Sequence, residues 1–247
     1  MRPRIEALDV DAMEWKPLGP PGLYSRLLSR DPDTGARTAL QRLCMAENYE
    51  PPKTAHFHTT YEEILGVSGL FSFDSRLWVR PGSYVFHPPR TVHGFKSAIQ
   101  QESTFLSRVG RDLDFNLIHE PEHDDLYVVE GDAPPRVPVA YADAVAQVGA
   151  RAGMLLGGAG EVTLLSQDPV TGEGSALVRL ADGWRGAETV LPTYLELFVV
   201  EGGLGIGEAP AAPRRDYFFY PPGDAIPALA ARAGTLLYVN FGADLGL

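Results

Sequence analysis

The sequence predicts an all-β protein built as two barrels in tandem. Three observations point there: short apolar runs separated by Gly- and Pro-containing turns, no sustained helical period, and a unit that occurs twice. With 247 residues and 45% hydrophobic content, the chain can bury one large β domain or two small ones.

Residues 1–22 carry Pro17, Pro20 and Pro21 without a period, which predicts an irregular or edge-strand lead-in. From Leu23 the pattern becomes LYSRLLSRD, the turn DPDTG, then ARTALQRLCMA, read as strand, turn, strand. Proline presets one backbone angle of that turn and glycine supplies another. Cys44 falls on the second strand, near the barrel lining, where a packed core thiol is expected rather than an extra ligand.

The turn has a twin. LLSRDPDTGARTALQRL at Leu27 returns as LLSQDPVTGEGSALVRL at Leu164, with about two positions in three identical. Downstream, TTYEEILGVSG from Thr59 aligns with PTYLELFVVEG from Pro192, and YVFHPP from Tyr84 with YFFYPP from Tyr217. The repeat therefore spans a whole domain, and the expected domains are 1–125 and 126–247. The acidic, Pro-rich stretch between the copies reads as a connection, and AYADAVAQVGARAG from Ala140 favours a short helix.

Two motif-like stretches are set aside. HEPEH from His119 has the spacing of a zinc-protease motif, but Pro121 breaks the helix on which that motif depends. GGLGIGEAP from Gly202 hints at a dinucleotide loop, yet Pro210 and Pro213 follow where a helix is needed, and Gly202 aligns with the hairpin glycine Gly69.

A net charge of −11 argues against nucleic acid or an anionic membrane surface and leaves small molecules or proteins as partners. The single Cys44 forms no internal disulfide, and the first residues lack the apolar run of a secretion signal, so a cytoplasmic protein is expected. The most apolar stretch, from Met154, is too short and Gly-rich to span a bilayer. Barrel edge strands leave a homodimer open.

The chemistry-bearing residues concentrate between 56 and 93, which hold four of the six histidines. On an extended strand His56 and His58 share a face and Phe57 takes the other. A tight turn at Thr59-Thr60 lets Glu62 reach the same point, while Pro88-Pro89 stops one strand and His93 starts the next. Imidazoles and a carboxylate suit a divalent transition metal. Glu63 is a rival to Glu62.

At these residues the chain resembles the cupins, small β-barrels with the motifs G-x5-H-x-H-x3,4-E-x6-G and G-x5-P-x-G-x2-H-x3-N. His56, His58, Glu62 and Gly69 match the first, and Gly82, Pro88 and His93 match the second. The sequence departs at Glu50, Arg90 and Ser97, none of them ligand positions. The resemblance implies a bicupin in which His56, His58, Glu62 and His93 are the metal ligands, Glu62 being preferred to Glu63 because only it precedes Gly69 by the required interval. In the repeat register Glu62 falls on Leu195, His93 on Ile226, and His56 and His58 near Thr189 and Leu191. One divalent metal per chain is therefore expected, iron(II) first, with zinc, manganese, nickel and copper compatible.

Cupins with this ligand set include oxygenases that cleave diketones, flavonols and related aromatics, as well as isomerases, decarboxylases and storage proteins. The aromatics Phe57, Phe71, Phe73, Tyr84, Phe86 and Phe95, about half of them inward by alternation, suit a small apolar or aromatic carbonyl substrate. The expected activity is oxygenase, the alternatives a non-redox isomerase or decarboxylase and a binding module without turnover. His87, Arg90 and Tyr61, close in sequence to the ligands, are the candidate catalytic groups.

Overall fold

The twinned Asp-Pro turns fold alike. Asp31 Oδ1 accepts the backbone N–H groups of Asp33 and Thr34 at 2.9 and 3.3 Å, and Asp168 Oδ1 accepts those of Val170 and Thr171 at 2.7 and 3.1 Å. Each side chain thus mimics a backbone turn before the chain reverses. The turns join antiparallel pairs, Leu23–Arg30 with Arg37–Leu43 and Gly160–Gln167 with Gly174–Leu180.

The computed structural model describes residues 1–119, 125–128, 136, 139–143, 152–153, 160–208 and 211–243. The chain divides into two compact units, Glu14–Asp143 and Met1–Met13 with Ala144–Leu247. The division expected after residue 125 thus comes after Asp143, and the N-terminal arm joins the second unit. Strand pairing is the reason: Val139–Asp143 pairs with Ser83–His87, and Ile5–Asp9 pairs with Asp216–Tyr220.

In the first unit an antiparallel sheet runs Val139–Asp143, Ser83–His87, Glu62–Ser72, Ala98–Val109, Arg37–Leu43, Leu23–Arg30, Lys16–Pro17. In the second it runs Ile5–Asp9, Asp216–Tyr220, Leu195–Glu201, Leu236–Phe241, Gly174–Leu180, Gly160–Gln167, Ala152–Gly153. The two orders coincide across the repeat, and in each a strand from outside the aligned segments covers the same edge, which would otherwise be open to pairing. Short accessory sheets complete both units, Ala55–Phe57 with Asn116–Ile118 in the first and Thr189–Val190 with Ala225–Ile226 in the second.

The fold is all-β, as expected: among the described residues the helical structure is a 3-10 turn at Met45–Glu47 and a 3-10 position at Asp125. Residues 144–151 of the expected short helix lie outside the described residues, and 139–143 are strand. HEPEH is described only at His119. Gly202, between Leu195–Glu201 and Leu204–Ile206, has φ 83° and aligns with Gly69 at φ 80°, so the described residues of GGLGIGEAP lead from one strand into the next with no helix. Cys44 is buried, its thiol donating to Glu102 Oε2 at 3.3 Å. No described helix is long and apolar enough to cross a membrane.

Alternation along the central strands separates neighbouring glutamates. Glu62 faces a cavity inside the first unit, and Glu63 faces the other side of the sheet, where Tyr84, Arg108 Nη1 at 3.1 Å and Arg136 Nη2 at 2.9 Å hold its buried carboxylate. The second unit keeps the same device. Glu196, the counterpart of Glu63, receives Tyr217 Oη at 2.6 Å and both ends of the Arg2 guanidinium at 3.0 and 3.1 Å. Arg136 and Arg2 lie over equivalent rings, Phe86 at 4.0 Å and Phe219 at 4.1 Å from the centroids. Removing one partner of a buried pair strands the other charge. Arg2→Met should therefore lower unfolding stability by about 3 kcal/mol, with Arg2→Met/Glu196→Leu recovering most of it, measured by urea denaturation. A single variant within about 0.5 kcal/mol of the parent would contradict this role.

Candidate metal centre

Backbone pairing brings the two histidine phrases together. His56 and His93 exchange N–H to C=O hydrogen bonds at 2.9 Å in both directions, an isolated bridge that sets both imidazoles on one side. Gly94 follows at φ 79°, and a Cβ there would lie 2.5 Å from the His56 ring, so glycine is required beside that imidazole. The Thr59-Thr60 turn is fastened by Asp114, whose Oδ1 accepts the Thr59 N–H at 2.8 Å and its hydroxyl at 3.0 Å. The Thr59 N–H and the Asn116 amide hold the Asp114 carboxyl down to about 2.

Glu62 Oε2 lies 3.3 Å from His93 Nε2, 4.0 Å from His58 Nε2 and 3.8 Å from His87 Nδ1. Ring nitrogens of His56, His58 and His93 lie within 4.8 Å of one another, and donor atoms of Glu62, His87 and His93 form a second such group. The four residues expected as ligands therefore converge. Their chemistry fits a metal. His93 Nδ1 meets the Thr91 carbonyl at 2.9 Å and His58 Nδ1 the Asp114 carbonyl at 2.5 Å. A carbonyl only accepts, so each Nδ1 carries the proton and each Nε2 keeps its lone pair for the centre.

Electrostatics point the same way. Burial pushes the His56 pKa down to about 4, helped by repulsion from His93 and His58. Burial also lowers that of His93, with His87 adding to it and Glu62 opposing. Burial raises the Glu62 carboxyl, but the adjoining His87, His93 and His58 imidazoles outweigh this and hold it well below its ordinary range. At pH 7 His56 and His93 are thus neutral beside a carboxylate, the state a divalent cation needs.

His56, His58, Glu62 and His93 lie in the wall of a cavity of about 490 Å³. Its apolar lining includes Leu43, Ile64, Phe71, Phe73, Phe105 and Phe115. Of the six aromatics expected to divide by alternation, Phe71 and Phe73 reach it, while Tyr84 and Phe86 are buried on the Glu63 side. Polar residues that sequence reasoning missed, Arg37 and Gln41, enter from alternate positions of Arg37–Leu43. Strand periodicity placed them on one face but did not say which face was inside.

The three candidate catalytic residues separate. His87 is buried against Glu62 and His93 but is not part of the cavity wall. Arg90 is exposed on the turn after Pro89, at φ 70°, its guanidinium 5.9 Å from the Phe57 ring centroid. Tyr61 points away from Glu62 and packs near Arg108 and Phe86. Neither Arg90 nor Tyr61 lines the cavity.

Residues 4–111 match the family model of the ChrR cupin-like domain. This region is a cupin domain. No curated protein matches the sequence. Among solved structures, a putative dioxygenase from Nostoc punctiforme superposes with a TM-score of 0.76 at 17% identity, over 98% of this chain and 84% of its own. Salicylate 1,2-dioxygenase from Pseudaminobacter salicylatoxidans gives 0.58 at 13%, over 88% and 76%. Oxalate decarboxylase from Bacillus subtilis gives 0.50 at 13%, over 96% and 76%. At such identities the likeness is one of fold, and the whole chain carries the cupin fold.

In the second unit the positions aligned with Glu62 and His93 are Leu195 and Ile226, both buried in an apolar core with Leu191 packed against it. Replacing His93 by Ala should lower metal affinity more than about tenfold and leave a folded protein, read by chelator competition and circular dichroism. Unchanged affinity would remove His93 from the centre.

A pH effect is expected of the metal-free protein. His56 stays neutral in the fold down to about 4 but takes up a proton near its ordinary value when unfolded, so the unfolded chain binds more protons between those values. Thermal stability should fall as pH drops from about 6.5 towards 4, and His56→Phe should flatten the slope. The same slope in both proteins would contradict a buried neutral His56.

Proposed function

We propose that this protein is a metal-dependent oxygenase for a small apolar or aromatic carbonyl compound, a diketone being the simplest case, with one divalent metal per chain, iron(II) by first choice. The observation that carries this is the convergence of His56, His58, Glu62 and His93 in the wall of a mostly apolar cavity. A divalent ion there would supply Lewis-acid polarisation of a carbonyl or enolate and, if redox-active, electrons for dioxygen. The second unit is a cupin that has lost its ligands, its aligned positions being packed with Leu195 and Ile226. The partner is a small molecule, in keeping with the net charge of −11, and the cytoplasm remains the expected location.

The chain's own groups have definable tasks. Phe71, Phe73 and Phe105 exclude water and offer apolar ring surface to a flat substrate, to which the exposed Phe115 adds. Arg37 Nη1 donates to Asp112 Oδ1 at 2.9 Å, which steadies the guanidinium. Burial lowers its pKa, but an arginine so placed remains cationic and can donate to a carbonyl or enolate oxygen. Gln41, on the same strand, adds a neutral donor and acceptor. His58 and His93 keep their protons on Nδ1 and take no part in proton transfer.

The test is metal exchange. Stripped protein reloaded separately with iron(II), manganese, nickel and zinc should consume oxygen with a diketone or aromatic carbonyl substrate in the iron form and not in the zinc form, because zinc has no second oxidation state at hand. Equal anaerobic turnover by the zinc form would move the reading to isomerase or decarboxylase chemistry. No turnover with any metal across a broad panel would leave a binding module.

A further inference from the structure

His87 is buried at the end of Ser83–His87, and neither ring nitrogen has a hydrogen-bond partner. Leaving both nitrogens of a buried imidazole unpaired is costly, and a bound cation would satisfy one of them. Its surroundings narrow the choice. The Tyr127 ring stacks at 5.6 Å between centroids, the Phe73 ring stands edge-on at 5.8 Å, His93 lies 4.3 Å away between ring centroids, and Glu62 Oε2 lies 3.8 Å from Nδ1. Glu62, His87 and His93 present donor atoms within 4.8 Å of one another, as His56, His58 and His93 do. His93 belongs to both groups, but its Nδ1 is engaged by Thr91, which leaves Nε2 to serve a single shared centre.

We propose that His87 is a fifth metal-ligating residue, joining His56, His58, Glu62 and His93. The repeat supports this: position 87 aligns with Tyr220, in the unit whose aligned ligand positions are Leu195 and Ile226, so the imidazole accompanies the other donors. Since His87 does not line the cavity, it meets the centre from a side the substrate does not occupy. With His87 added, five residues of the chain would hold the metal, and fewer positions would be left for substrate than with four.

This role rests on the metal-centre reading of the proposed function, and its test uses the full-length protein loaded with cobalt(II), without activity. Imidazoles bound to cobalt(II) give separate, strongly shifted N–H proton resonances that can be counted. Wild type should show four, His87→Phe should show three, and cobalt affinity by chelator competition should fall about tenfold or more. Three in both proteins would overturn the role of His87 while leaving the metal centre intact. No cobalt binding by wild type would overturn the centre itself. If the Phe variant fails to fold, the wild-type count still decides, and His87→Gln provides the second comparison.

Discussion

The constraint on which the first unit depends is the burial of several imidazoles around one carboxylate. Away from water such a cluster is tolerable only if each group has a partner, and the chain supplies some of these itself. The Thr91 and Asp114 carbonyls accept one hydrogen bond each from His93 and His58, and the His56–His93 backbone bridge holds the rings at fixed separation. What remains is a set of lone pairs and one negative charge pointing inward, complete only with a cation. The apolar walls add to the effect, because in a poorly hydrated cavity the burial that lowers the pKa of His56 and His93 also keeps them ready to bind metal.

The same sheet performs two tasks because successive side chains face opposite sides. Glu62 faces the candidate metal centre, and Glu63, one residue on, is clamped by Arg108, Arg136 and Tyr84. A slip of one residue would exchange them. The second unit separates the tasks: it keeps the clamp as Glu196, Tyr217 and Arg2 and replaces the centre with Leu195 and Ile226. Burying each of those side chains contributes about 2 kcal/mol with no metal needed, whereas the clamp tolerates apolar replacement only when both of its charges are changed together. Loss of the centre with retention of the clamp is what these energetics favour.

Much of this was legible in the sequence where the signal was local. His56, His58, Glu62 and His93 lie within one stretch at strand spacing, and the Asp31 and Asp168 turns advertise themselves through side chains that bond their own backbone. Distant partners left no such mark. Arg2 meets Glu196 across 194 positions, and Arg136 meets Glu63 across 73, each from a segment without a period. The division between units was displaced for the same reason, since Ile5–Asp9 and Val139–Asp143 add to sheet edges far away in sequence. Arg37 and Gln41 sat on a readable strand whose inner face was not readable. His87, expected only as a candidate catalytic group, ends a buried strand beside Glu62.

Among the described residues, donors converge in the first unit, and the positions aligned with Glu62 and His93 in the second are packed as Leu195 and Ile226, from which one metal per chain is predicted. Elemental analysis of protein purified from its own host, against protein concentration from amino-acid analysis, tests this most directly. One transition metal per chain is the predicted result. Two tightly held metals per chain would contradict the apolar second centre, and none after purification under mild conditions, with none taken up on reloading, would contradict the first.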